Sequence, residues 1–129
     1  MKRTRKSFGH AMEGLVHAIK YETNLRRFVL GHTLLLVLGI LVRIDPFALI
    51  IATMAAGFFV TVELINTAIE RVTDTFDDHL KTERGGHEHP GVKMAKDVGS
   101  AAALIALTMY GVMMVLLLLP YLLYALAAR

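Results

Sequence analysis

The chain has 129 residues, 55% hydrophobic and 19% charged, with a mean hydropathy of +0.53 and a formal net charge of +3. This composition excludes disorder, which needs a polar-rich chain, and it is more apolar than an ordinary soluble domain. Zero cysteines exclude a disulfide scaffold, thiolate metal sites and cysteine nucleophiles.

The residue pattern predicts an all-α membrane protein forming one domain over residues 1–129. The first element is an amphipathic helix over about residues 5–21. Phe8, Met12, Leu15, Val16 and Ile19 recur at helical spacing, while Lys6, His10, Glu13, His17 and Lys20 fill much of the other side. Such a helix lies on the inner membrane surface with its bases near anionic headgroups, and packing against the other helices is compatible with that placement. A polar cluster, Tyr21 to Arg27, follows and contains Glu22.

Three apolar stretches come next. Phe28–Val42 has 15 uncharged residues, Phe47–Val62 has 16 and Val98–Ala128 has 31. A membrane-spanning helix needs about 20 mostly apolar residues. The first span therefore covers about 25–44, with Arg26, Arg27 and Arg43 reaching to the interfaces. The second covers about 47–69 and must take in Glu63. The third covers about 98–120, with Pro120 expected to kink or fray it near the outer face. The competing reading is a soluble helical bundle, but its buried helices would keep a polar stripe, and Ala101–Leu119 has almost none. Between the second and third spans, residues 75–95 read as a loop punctuated by Gly85-Gly86 and Pro90-Gly91.

Orientation follows from Lys and Arg. Seven lie in the first 27 residues and five between Arg71 and Asp97, against one in the 43–46 turn and one at Arg129. The positive-inside rule places the N-terminus and the 71–97 segment in the cytoplasm and the C-terminus outside, in a multi-pass protein of the cytoplasmic (inner) membrane.

Chemistry concentrates between Val62 and Asp74. At about 100° per residue, Asn66, Glu70 and Asp74 all fall within about 60° of Glu63, so three carboxylates and an amide share one face. Ionisable groups at membrane depth are costly and suggest function. A row of oxygen ligands suits a hard cation, above all Mg²⁺, which keeps waters and binds few carboxylates together with phosphates. Glu70 fits as a ligand and Asn66 as its neutral helper, while Glu63 is placed to act as a base on a lipid hydroxyl. Glu22 adds a carboxylate at the same level. Lys93, Lys96 and Asp97 open the third span, where lysines and free helix amides suit phosphates. The His87-Glu88-His89 tract has metal-ligand residues, although histidines in such a glycine-rich loop are more often solvated. No glycine-rich nucleotide loop is present, so phosphates would be held by Mg²⁺ and lysine.

The segment Glu63-Leu64-Ile65-Asn66-Thr67-Ala68-Ile69-Glu70, followed by Asp74, resembles the signature of the prokaryotic diacylglycerol kinase and undecaprenol kinase family. The resemblance extends to Gly14-Leu15, to Glu22-Thr23-Asn24-Leu25-Arg26 and to Ala95 through Ala102. It implies a homotrimer with three transmembrane helices and one surface helix per subunit. It also implies transfer of the ATP γ-phosphate to a lipid hydroxyl at the cytoplasmic face. On this resemblance Glu63 is the catalytic base, Glu22 and Glu70 bind the Mg²⁺ that carries ATP, and Asn66, Asp74 and Arg26 support the site. Lys96 and Asp97 contact the nucleotide, together with His89, its neighbours His87 and Glu88, and His10 on the surface helix. The implied partners are ATP, a membrane lipid and further copies of the chain, and nucleic acid is not among them. Two departures stand out: the stretch from Asp74 to His89 is longer than is usual in the family, and His10 replaces an aromatic residue.

Two other readings compete. In one, Glu63 and Glu70 line a small homo-oligomeric cation or proton pathway. In the other, the acidic face pairs with a partner's arginines in a larger membrane complex.

Overall fold

The computed structural model describes residues 2–81 and 88–127. Four helices follow one another: α1 (Lys2–Tyr21), α2 (Thr23–Leu41), α3 (Pro46–Lys81) and α4 (Pro90–Ala127). The last three are long and apolar enough to cross a membrane, over Thr23–Leu41, Pro46–Asp78 and Pro90–Tyr124. At about 1.5 Å per residue, α3 and α4 each exceed 50 Å, well beyond a hydrocarbon core of about 30 Å. Large apolar side chains stay exposed along all three, among them Leu34, Ile40, Met54, Phe58, Leu104 and Leu116. So much exposed apolar surface is a surface for lipid or for other copies, and the chain is a multi-pass membrane protein.

The α3–α4 pair is the most extensive helix contact. Ala52, Ala56 and Phe59 of α3 are buried, as are Gly99, Ala103, Ala106 and Met114 of α4. Small side chains let the two backbones approach, as helices without a hydrophobic driving force between them require. By helical phase Ala52, Ala56 and Phe59 lie within about 40° of Glu63. The acidic face predicted from the sequence is therefore the continuation of the packing seam, and it turns toward α4.

The turn between α2 and α3 is built from local chemistry. Ile44 N–H donates to Gly39 O at 2.8 Å and Arg43 N–H to Ile40 O at 3.1 Å. Together they close α2 in a Schellman arrangement with Arg43 left-handed at φ 59°. Gly39 lets α3 approach closely there: a Cβ would meet Leu49 Cδ2 at 2.7 Å, and the leucine side chain would have to shift. Asp45 then caps α3, accepting the Ala48 N–H at 3.1 Å, with Pro46 at the first helical position.

Helix α1 leaves Phe8, Met12 and Val16 exposed and buries Ala18. The segment expected to be a loop over 75–95 is shorter among the described residues. Helix α3 carries on through Lys81, and α4 starts at Pro90. The buried carboxylate of Asp77 accepts the His89 N–H at 3.0 Å and ties the two helix ends together. Helix α4 also runs past Pro120 as helix rather than ending there.

Candidate functional site

A cleft of about 410 Å³ opens where α2, α3 and α4 meet. Its polar lining is Glu22, Asn24, Arg27, Glu63, Asn66, Thr67, Glu70 and Ser100. Its apolar lining is Phe28, Phe59, Ala103, Leu104 and Leu107. One cavity thus carries carboxylates toward one end of the helices and an oily wall toward the middle of the spans.

Each acidic group arrives by a different route. Glu22 sits at the junction of α1 and α2 with extended backbone (φ −93°, ψ 107°). It occupies the N-cap position of α2 but its side chain caps nothing. Instead Arg71 donates to Glu22 Oε1 at 2.9 Å. Glu63 and Glu70 stand two turns apart on the α3 seam. Glu63 lies close enough to Glu70 and Glu22 to feel their charges, and no hydrogen bond or ion pair holds Glu63 among the described residues. Asn66, buried between the two glutamates, donates from Nδ2 to Glu70 Oε1 at 3.0 Å. Its Oδ1 is buried with no hydrogen-bond partner among the described residues and lies against Gly99.

A divalent cation fits this donor set. Glu22 and Glu70 offer the hard carboxylate oxygens for it, whereas Asn66 turns its Nδ2 to Glu70 and its Oδ1 against Gly99. Among the described residues no three His, Cys, Asp or Glu side chains gather tightly enough to cage a bare ion.

The remaining predicted residues fall outside the lining of this cleft. Lys96 pairs with Asp74 Oδ1 at 3.0 Å and with Glu88 Oε1 at 3.5 Å, gathering three of them into a separate cluster. Asp97 and Arg26 are exposed. His89 is engaged by its own helix start: its Nδ1 accepts the Gly91 N–H at 3.0 Å, and its carbonyl accepts from Val92 and Lys93. Helix α4 therefore starts at Pro90 with its first amides taken up by His89, and the amides around Val98 are inside the helix, contrary to the expectation of a helix start beside Lys96. His10 lines a second cavity of about 380 Å³ between α1 and α3, with Gly14, His17, Leu64, Thr67 and Arg71. His87 lies outside the described residues.

The sequence reading missed Arg71 as a site residue, although it adjoins Glu70. It also missed the floor beneath the cleft. Phe28 packs on Phe59 at 4.2 Å and edge-on to Tyr110 at 4.8 Å between ring centroids. His32 Nδ1 hydrogen-bonds Tyr110 Oη at 2.9 Å, tying α2 to α4. An uncommon histidine inside an apolar run was the only local signal, and its partner is 78 residues away.

Fold and cleft together define a helical multi-pass membrane protein with an acidic site between its spans. Residues 9–118 match the prokaryotic diacylglycerol kinase family. The chain is 34% identical over 110 residues to a diacylglycerol kinase of Pseudomonas aeruginosa, covering 84% of this chain and 81% of the relative. It is 29% identical over 120 residues to an undecaprenol kinase of Bacillus subtilis, covering 93% and 91%. The chain belongs to the prokaryotic diacylglycerol kinase family. That membership makes it a lipid kinase and sets aside the cation-pathway reading.

Proposed function

We propose that the chain transfers the γ-phosphate of Mg-ATP to the primary hydroxyl of a membrane lipid at the cytoplasmic face of the inner membrane. The acceptor is diacylglycerol, giving phosphatidic acid, or undecaprenol, giving undecaprenyl phosphate. The observation that carries this reading is the two-sided cleft, in which Glu22, Glu63 and Glu70 share one cavity with Phe28, Phe59, Leu104 and Leu107. A lipid can rest its chain on the oily wall and bring its hydroxyl to the carboxylates.

In this reading Glu63, which has no competing partner among the described residues, accepts the proton of the lipid hydroxyl. Glu22 and Glu70 hold Mg²⁺, and Asn66 keeps Glu70 oriented. The ion supplies charge neutralisation on the phosphates. Catalysis is mostly positioning and electrostatics, as phosphoryl transfer in general requires. Lys96 and Asp97 contact the nucleotide, with His10, Glu88, His89 and His87 around it and with Asp74 and Arg26 in support.

The active form we propose is a homotrimer. Its support is the extent of exposed apolar surface along the three spans. A neighbouring copy would bring Lys96 and Asp97 to another subunit's Glu70. The surface helix, residues 5–21, would lie along the inner leaflet on Phe8, Met12 and Val16.

The test is phosphorylation from radiolabelled ATP with diacylglycerol and undecaprenol offered separately in detergent micelles. Labelled lipid in either arm supports the reading, and the more efficient arm names the acceptor. No labelled lipid from a folded oligomer in either arm refutes it.

A further inference from the structure

Two cavities meet at one ion pair. Glu22 lines the acidic cleft and Arg71 lines the cavity between α1 and α3, and Thr67 borders both. The partition is the contact from Arg71 Nη2 to Glu22 Oε1 at 2.9 Å. The second cavity is lined by Arg71 together with the imidazoles of His10 and His17, with no carboxylate in its lining among the described residues, and His10 Nδ1 lies 3.7 Å from Glu13 Oε2.

The charges explain the pairing. Glu22, Glu63 and Glu70 line one cleft, and Glu63 lies within reach of the charges of the other two. Without a cation, three carboxylates sharing one cavity repel, and the Arg71 guanidinium neutralises the nearest of them. A metal-bearing nucleotide brings two demands at once: its cation needs carboxylate oxygen, and its phosphates need donors. The contact ties up one carboxylate oxygen of Glu22 and one guanidinium nitrogen of Arg71, and the positive charge beside Glu22 lowers its attraction for a cation. Side-chain exposures of 48% for Arg71 and 29% for Glu22 put the pair in reach of solvent, where such pairs are weak and exchange readily. A planar guanidinium also matches phosphate oxygens two at a time.

We propose that Arg71 is a phosphate-binding residue held in reserve by Glu22. When the metal-nucleotide enters, Glu22 passes to the cation and the Arg71 guanidinium turns to the phosphate oxygens, beside the imidazoles of His10 and His17. No covalent bond changes; two ionic partners are exchanged. The inference rests on the reading of Glu22 as a metal ligand.

The exchange has a signature that a structural salt bridge lacks, because one substitution moves two affinities in opposite directions. Binding of Mn²⁺ alone is followed by electron paramagnetic resonance on the purified oligomer. Binding of a non-hydrolysable ATP analogue with Mg²⁺ is followed by calorimetry. R71M, which removes the competitor for Glu22, tightens Mn²⁺ binding about threefold or more and weakens the nucleotide about tenfold. R71K, with one compact ammonium, moves both the same way by less, and it carries the test if R71M does not fold. Unchanged or weaker Mn²⁺ binding in these variants overturns the proposal, as does unchanged nucleotide affinity. E22Q separates the two readings. Loss of Mn²⁺ binding in E22Q, with no tightening in R71M, sinks the Arg71 exchange alone. Native Mn²⁺ binding in E22Q removes Glu22 from the metal site and the exchange with it.

Discussion

The side-chain amide of Asn66 on α3 lies so close to Gly99 on α4 that a Cβ at Gly99 would overlap Oδ1. Through its Nδ2 the same amide holds Glu70. The backbone of one helix thus sets the position of a carboxylate on another.

Gly99→Ala pushes the amide away from α4 and releases Glu70. A misplaced group near the reacting atoms costs on the order of tenfold to a hundredfold in rate. We expect that loss in kcat with helical content and oligomer size retained by circular dichroism and size-exclusion chromatography. Gly111 faces open space, so Gly111→Ala keeps native kcat. Native kcat in Gly99→Ala would show that Asn66 does not position Glu70.

Removal of the base is the sharpest probe of Glu63. Glu63→Gln keeps size and shape and cannot take a proton, so turnover falls by about 10²–10⁴. The folded oligomer and nucleotide affinity persist. Substantial lipid phosphorylation by this variant would rule out the base assignment.

Glu70 is expected to serve the metal-nucleotide and not the lipid. Glu70→Ala raises the KM for Mg-ATP about tenfold or more, because a charged ligand is lost, and leaves the KM for lipid nearly unchanged. Steady-state titrations of each substrate check this. Equal rises in both would count against a metal role.

Beneath the cleft, Tyr110→Phe leaves both ring nitrogens of His32 without a partner, since Nε2 is already buried and unpaired. A buried polar group left alone costs about 1–3 kcal/mol, and intramembrane pairs average about 0.6 kcal/mol. Tyr110→Phe therefore lowers Tm in detergent by a few degrees. Replacing both partners, His32→Phe with Tyr110→Phe, restores part of the loss, because no orphaned group remains. A double variant less stable than the sum of the single ones would contradict a direct bond.

The helical class and the apolar spans were legible because hydropathy and the 3.6-residue period are local. The face holding Glu63, Asn66 and Glu70 was legible for the same reason. The ends of α3 and α4 were not. Thr75–Lys81 reads as loop because it is polar, yet it is helical, and Asp77 finds its partner in the His89 amide twelve residues on. The partner of Lys96 was not legible either, because Asp74 lies 22 residues away in the chain.

By itself, then, the sequence determined what each segment is: which stretches are apolar enough to span, and which carboxylates lie on one stripe. Those are properties of a single helix, fixed by composition and pitch. Only the tertiary structure decided that this stripe faces α4, that Glu22 joins it from the α1–α2 junction, and that Arg71 reaches Glu22 across 49 residues of chain. Helix phase orders residues around one axis, whereas the packing of small residues sets how the axes stand and so which charges meet.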